Sequence, residues 1–199
     1  MLKLRKIAVT GGVASGKSTV CQLFQELGAY VVNADAIVHG LLDPHTDLGQ
    51  QILRVLGSEI VQNGTINRRI VAEKIFRNPL LLQEVEQILH PAVLHRIEQQ
   101  YQEACEQGIY TLFIVEIPLL FEIGAETLYD LAIAVVTDEE IAKKRFQALG
   151  QPEQEYERRM SRQFAPHIKS AKAQYIIENN GSLKDLRHQI KMLNTILSK

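Results

Sequence analysis

Residues 9–20 read VTGGVASGKSTV, and Gly11 to Ser18 fit the spacing G-x-x-x-x-G-K-[ST]. A glycine loop between a buried strand and a helix turns successive backbone N–H groups into a concave nest. With the positive end of the helix, that nest holds phosphate oxygens. Gly11, Gly12 and Gly16 permit the unusual backbone angles and the close approach. Lys17 reaches the β- and γ-phosphates, and Ser18 offers a hydroxyl to Mg²⁺. The nucleotide-binding candidates are therefore Gly12, Val13, Ala14, Ser15, Gly16, Lys17, Ser18 and Thr19, with ATP as ligand and Mg²⁺ as its metal. The plain alternative is a tight strand–helix turn with an accidental lysine. The apolar run before the loop and the amphipathic run after it favour phosphate.

A phosphate loop does not name a chemistry. A GTPase switch would show N-K-x-D and D-x-x-G, and neither string occurs. A motor or transport ATPase wants a larger chain and a strand ending in a strong acid. A small-molecule kinase wants a water-excluding lid and an acceptor pocket, which suits a chain with an arginine-rich stretch at 144–162. Asp35 follows the second apolar run, where ligands sit at the C-terminal ends of parallel strands. It could accept or position an acceptor's proton, or hold Mg²⁺ through water. Equally, it could cap a helix at 36–42.

These residues need a frame. Apolar runs at 6–10, 30–34, 110–116, 131–137 and 174–178 are largely consecutive, as in strands buried on both faces of a parallel sheet. Helical patterns fall at 17–27, stopped by Gly28, and at 139–149, 153–164 and 182–198, the last with Ser182 as N-cap. The β–α alternation predicts an α/β fold with a mostly parallel five-stranded sheet. Between Asp35 and Thr111 no convincing strand is visible. Helices are expected there at 47–56, 68–77 and 79–106, the last interrupted near His90–Pro91. The expected layout is one domain: a core at about 1–36 and 107–199, a helical insertion at about 37–106 and a lid at about 139–164.

With 199 residues, 46% of them hydrophobic, the chain can bury a proper core. A formal net charge of −1 argues against a nucleic-acid backbone as partner. Cys21 and Cys105 read as reduced packing residues. No run suits a signal peptide or a membrane span, so a cytoplasmic protein is expected.

Several motifs in order resemble the dephospho-CoA kinase family over essentially the whole chain. TGGVASGKSTV is similar to that family's TGGIGSGKSTV, and NAD at 33–35 to its D-A-D. GTINRRIVAEKIF (64–76) resembles its G-x-x-D-R…F, ILHP (88–91) its L-H-P, and EIPLLFE (116–122) its D-x-P-L-L-F-E. Gln163 and Lys169 fit its Q…K spacing, and IIENNG (176–181) resembles its ending near the adenine. The resemblance implies a nucleoside-kinase core, a helical acceptor-binding insertion and a lid. It implies phosphorylation of the ribose 3′-hydroxyl of dephospho-CoA by ATP-Mg, the last step of CoA synthesis. ATP and dephospho-CoA are the implied partners, with no nucleic acid or membrane and a monomer or small homo-oligomer.

By the same resemblance Asp35 and Lys17 are catalytic, and Asn180 and Gly181 join the ATP site. Arg68, His90, Leu119 and Leu120 contact the acceptor, though Arg68 reads equally well as a solvated helix-start residue, His90 could simply cap or kink its helix, and Leu119 and Leu120 read equally well as core. Arg145 stands near the family's first lid arginine, and Arg158, Arg159 or Arg162 could serve as the second, Arg159 being the one taken here. Asn33, Asn67, Glu116 and Gln174 stand where the family has aspartates, and Ala148–Leu149 where it has a second lid arginine. The rival readings are a kinase of the same architecture with another acceptor, and a non-catalytic nucleotide-binding regulator.

Overall fold

Five apolar runs make five parallel strands. The computed structural model describes residues 4–199. Strands β1 (Arg5–Gly11), β2 (Tyr30–Asn33), β5 (Leu112–Glu116), β6 (Leu131–Val136) and β7 (Tyr175–Glu178) form one sheet in the order β2-β5-β1-β6-β7. β1 sits at the centre, and Ile7, Ala8 and Val9 are each 0% exposed. A strand buried on both faces needs the unbroken apolar run that the sequence supplies.

Helix α1 (Lys17–Glu26) follows β1. It ends where Gly28 adopts φ 90° and Ala29 N donates to Phe24 O at 3.1 Å, a left-handed glycine stop. The C-terminal helix α9 (Leu183–Leu197) begins with Ser182 and Asp185 in a reciprocal capping box. Its Leu186, Ile190, Leu193 and Leu197 join Val20, Leu23 and Phe24 of α1 and Ile7, Val9, Ile114 and Ile133 of the sheet in one core. Helices α6 (Glu139–Ala148), α7 (Glu153–Met160) and α8 (Pro166–Lys172) lie between β6 and β7. The pattern at 153–164 ends early, at Met160. α8 was not expected, although Pro166 stands at its start, the position a helix favours for proline.

The chain divides into two compact units, one running to Asn33 and resuming at Tyr101–Lys199, the other Ala34–Gln100. The second holds α2 (Ala34–Leu41), α3 (Asp47–Leu56), β3 (Val61–Gln62), β4 (Thr65–Ile66), α4 (Arg68–Arg77) and most of α5 (Pro79–Gln107). Ile52, Leu56, Ile60, Ile66, Val71 and Val85 form its own core. Two expectations are corrected here. A β3–β4 hairpin is present, turned by Asn63 (φ 51°) and Gly64 (φ 76°). Positive φ at both central residues is the tight hairpin turn that Asn-Gly favours. Strands two residues long leave no periodicity to read. Helix α5 also runs on through Pro91. Proline removes one backbone hydrogen bond, but buried Val85, Val93 and Ile97 hold the helix on both sides of it.

Candidate active site

The loop from Gly11 to Gly16 leaves the C-terminal end of β1 and enters α1. Gly16, the residue before α1, has φ 95°, and a Cβ there would stand 2.1 Å from Asn179 Nδ2. Both the backbone angle and the space demand glycine. Asn179 follows β7 and Thr137 follows β6, and both brace the loop. Asn179 Nδ2 donates to Ser15 O at 2.8 Å, and Thr137 Oγ1 to the same carbonyl at 3.0 Å.

Lys17 opens α1. Its ammonium donates to Gly11 O at 3.2 Å and Gly12 O at 2.8 Å. The residue is buried, whereas the motif alone suggests an exposed lysine. The positive charge is thus held over the loop by the loop's own carbonyls.

Glu116 was not among the expected site residues. It closes β5 in register with Val9 on one side and Asn33 on the other. Ser18 Oγ donates to Glu116 Oε1 at 2.8 Å, and Asn33 Nδ2 donates to Glu116 Oε2 at 2.7 Å. A carboxylate ending an otherwise apolar strand was the available signal. Burial, reinforced by Glu116 and opposed by Lys17, pushes the Cys21 thiol far up, so Cys21 is a packing residue and not a nucleophile. A hydroxyl and a carboxylate oxygen form a hard donor pair that fits Mg²⁺, which takes few protein ligands and completes its shell with phosphate and water. Among the described residues no group of three His, Cys, Asp or Glu could hold a metal.

Helices α6 and α7 form a braced hairpin beside the loop. Lys143 pairs with Glu139 at 2.9 Å and Glu157 at 2.6 Å, and the Phe146 and Tyr156 rings meet edge-on at 5.6 Å. Val13 N donates to Met160 Sδ at 3.4 Å. A cavity of about 230 Å³ lies between loop and hairpin, lined by Gly12, Val13, Ser15, Thr137, Tyr156 and Met160. The two expected lid arginines separate. Arg145 Nη2 donates to Asn179 O at 3.0 Å, while its Nη1 is buried with no partner. Arg159 is half-exposed, bound to Glu155 at 2.8 Å and stacked over Phe146. Asn180 and Gly181 line a second cavity of about 510 Å³ with Ile176, Ser182, Asp185 and Gln189. Asn180 exchanges two hydrogen bonds with Asp138, at 2.8 and 2.9 Å.

Leu120 is 0% exposed and Phe121 is buried, so they are core. Leu119 alone keeps open surface. In the other unit, α2 begins at Ala34, which places exposed Asp35 inside its first turn and not at its cap. Arg68 opens α4, exposed, with Nη1 2.9 Å from His39 Nδ1. His90 is half-buried within α5. Asn67 caps α4 through the Arg69 and Ile70 amides, as aspartate would.

A five-stranded parallel sheet with a phosphate loop at its central strand, flanked by an oxygen-donor pair and an arginine, has the architecture of the P-loop kinases. Shikimate kinase from Acinetobacter baumannii shares this fold at TM-score 0.54 and 18% identity, over 99% of this chain and 95% of that one. The dephospho-CoA kinase family model matches residues 5–185. Dephospho-CoA kinase of Chlamydia pneumoniae is 43% identical over 96% of this chain and 95% of its own length. The structure of dephospho-CoA kinase from Campylobacter jejuni superposes at TM-score 0.72 with 29% identity, covering 97% of this chain and 96% of that one. The chain belongs to the dephospho-CoA kinase family, whose members phosphorylate dephospho-CoA with ATP in the last step of CoA biosynthesis.

Proposed function

We propose that this chain transfers the γ-phosphoryl group of ATP to the ribose 3′-hydroxyl of dephospho-CoA, with the residue roles that follow. The reading rests on one observation above the others: at the end of the phosphate-loop strand, Lys17 is held on the Gly12 carbonyl and Ser18 on the Glu116 carboxylate. The loop amides from Gly12 to Thr19 bind the phosphates, and Lys17 stabilises charge on the transferring group. Ser18 and Glu116 are the residues that would hold Mg²⁺ brought with ATP, which would supply positive charge against the phosphates. Asn180 and Gly181 border the adenine, and Arg145 offers its unpartnered nitrogen to phosphate. Hairpin α6–α7 serves as the lid that excludes water.

The unit Ala34–Gln100 is assigned to the acceptor, with Arg68 and His90 as contacts, and Leu119 as an apolar contact from the β5 turn. Asp35 takes the proton of the 3′-hydroxyl as its oxygen bonds to phosphorus and the bond to ADP breaks. No described helix is long and apolar enough to cross a membrane. We assign a cytoplasmic enzyme, monomeric or a small homo-oligomer, that acts without nucleic acid or membrane.

The test is Asp35→Asn. The amide keeps the shape and cannot take a proton. Loss of a general base costs roughly 10²–10⁴-fold, and a loose transition state places the effect near the lower end. kcat should fall about 10²-fold while ATP affinity and melting temperature hold. A normal kcat would remove Asp35 from the mechanism.

A further inference from the structure

Lys169 is a second buried lysine, and the phosphate-loop chemistry does not use it. Its side chain is 1% exposed, and it pairs at 2.9 Å with Glu122 Oε1, itself 11% exposed. An ammonium carries three N–H donors, and here each has an acceptor. They are Glu122 Oε1, Pro118 O at 2.5 Å and Gln163 Oε1 at 3.3 Å. Two acceptors belong to the turn after β5 and the third to the segment leaving α7.

The junction reaches further. Pro118 O also accepts from Thr10 Oγ1 at 3.2 Å, and Thr10 is the residue before Gly11. Glu122 Oε1 also accepts from Phe164 N at 2.7 Å. One fully buried point therefore ties together the foot of the phosphate loop, the Leu119 turn and the C-terminal root of the α6–α7 hairpin.

Stability alone is a poor reason for this arrangement. Burial pushes the Lys169 pKa down, with Glu122 opposing, so burying the charge carries a cost. Apolar replacement of a buried ion pair is often neutral or stabilising. What methionine cannot supply is three directed hydrogen bonds to three different residues.

We propose that Lys169 is a positioning residue for phosphoryl transfer: it holds the lid root and the Leu119 turn in one register with the phosphate loop. This rests on the lid and acceptor roles proposed above. Misplacement by about 1 Å away from the reacting atoms can cost 10²-fold, so the register of these segments matters to rate.

The experiment uses the full chain with Lys169→Met and Glu122→Gln combined, which leaves no unpaired charge and preserves the acceptor for Phe164 N. Expected is a melting temperature near wild type, kcat down about 10-fold, KM for dephospho-CoA raised and ADP affinity within about 2-fold of wild type. Hydrogen exchange without substrates should quicken at 118–124 and at 161–166. A folded double variant with wild-type kcat, KM and exchange at both segments overturns the proposal. If the double variant does not fold, Gln163→Leu removes one arm alone. It should lower kcat while leaving the melting temperature unchanged, and wild-type kinetics there also overturn the proposal. The lid reading is judged separately. If wild-type protein gains no protection across 139–164 with a bisubstrate analogue, the lid role fails, while exchange in the substrate-free variant still reports on the junction.

Discussion

Asn33 and Glu116 stand opposite each other at the last shared register of β2 and β5, and the Asn33 amide donates to Glu116 Oε2 at 2.7 Å. The other oxygen of Glu116 accepts from Ser18. The two departures from the family motif are thus in direct contact. An ionised aspartate at position 33 could not donate to a neighbouring carboxylate, and two such anions in contact would repel. Asparagine orients the single longer acid toward the phosphate-loop serine.

Glu116→Gln should therefore weaken the metal response more than the fold. Groups that merely orient a metal's ligands contribute about 10–100-fold in metal affinity or activity, and a residue that itself holds the metal should contribute no less. The half-saturating Mg²⁺ concentration should rise by a factor in that range. Mn²⁺ binding to the ADP complex, read by electron paramagnetic resonance, should weaken in parallel. An unchanged response to both metals would take Glu116 out of the site.

Lys17→Ala should reduce kcat by about 10²-fold or more, as expected for removing a charge aimed at the transition state. Because Lys17 is buried against the Gly11 and Gly12 carbonyls, stability should fall as well. Charged hydrogen bonds contribute about 1.5–3 kcal/mol, a shift of roughly 3–12 °C for a chain of this size. Retained turnover in the variant would contradict the assignment.

Much of this site was legible in the sequence because its signals are local. Glycine spacing marks the phosphate loop, and unbroken apolar runs mark central strands. Glu116, Asn33 and Ser18 were not legible as a set. They lie on three segments, and only the pairing of β1, β2 and β5 brings them together. Lys169 gave no sign of burial for the same reason: its partners are Pro118, Glu122 and Gln163, contributed by the tertiary fold. The β3–β4 hairpin and α8 are too short for periodicity to announce. Pro91 was overread as a break because a propensity says nothing of the packing around it.

The two lid arginines should differ in effect. Arg145→Ala removes the guanidinium that touches Asn179 and keeps a buried nitrogen free beside the loop. It should raise KM for ATP and lower kcat together, about 10-fold or more in kcat/KM. Arg159→Ala removes a half-exposed partner of Glu155, which keeps its pair with Arg158, and helix-surface pairs contribute under about 1 kcal/mol. Its kinetics should match wild type. Equal losses in both variants would place Arg159 on the substrates too.

The most direct measurement is an acceptor panel on the wild-type chain: ADP formed from ATP-Mg with dephospho-CoA, adenosine, AMP or no acceptor, with product position read by phosphorus NMR. ADP should appear in step with CoA only when dephospho-CoA is supplied, with the new phosphate on the ribose 3′-oxygen. Equal ADP release without acceptor, or faster turnover with adenosine or AMP, would contradict phosphoryl transfer to dephospho-CoA as the work of this site.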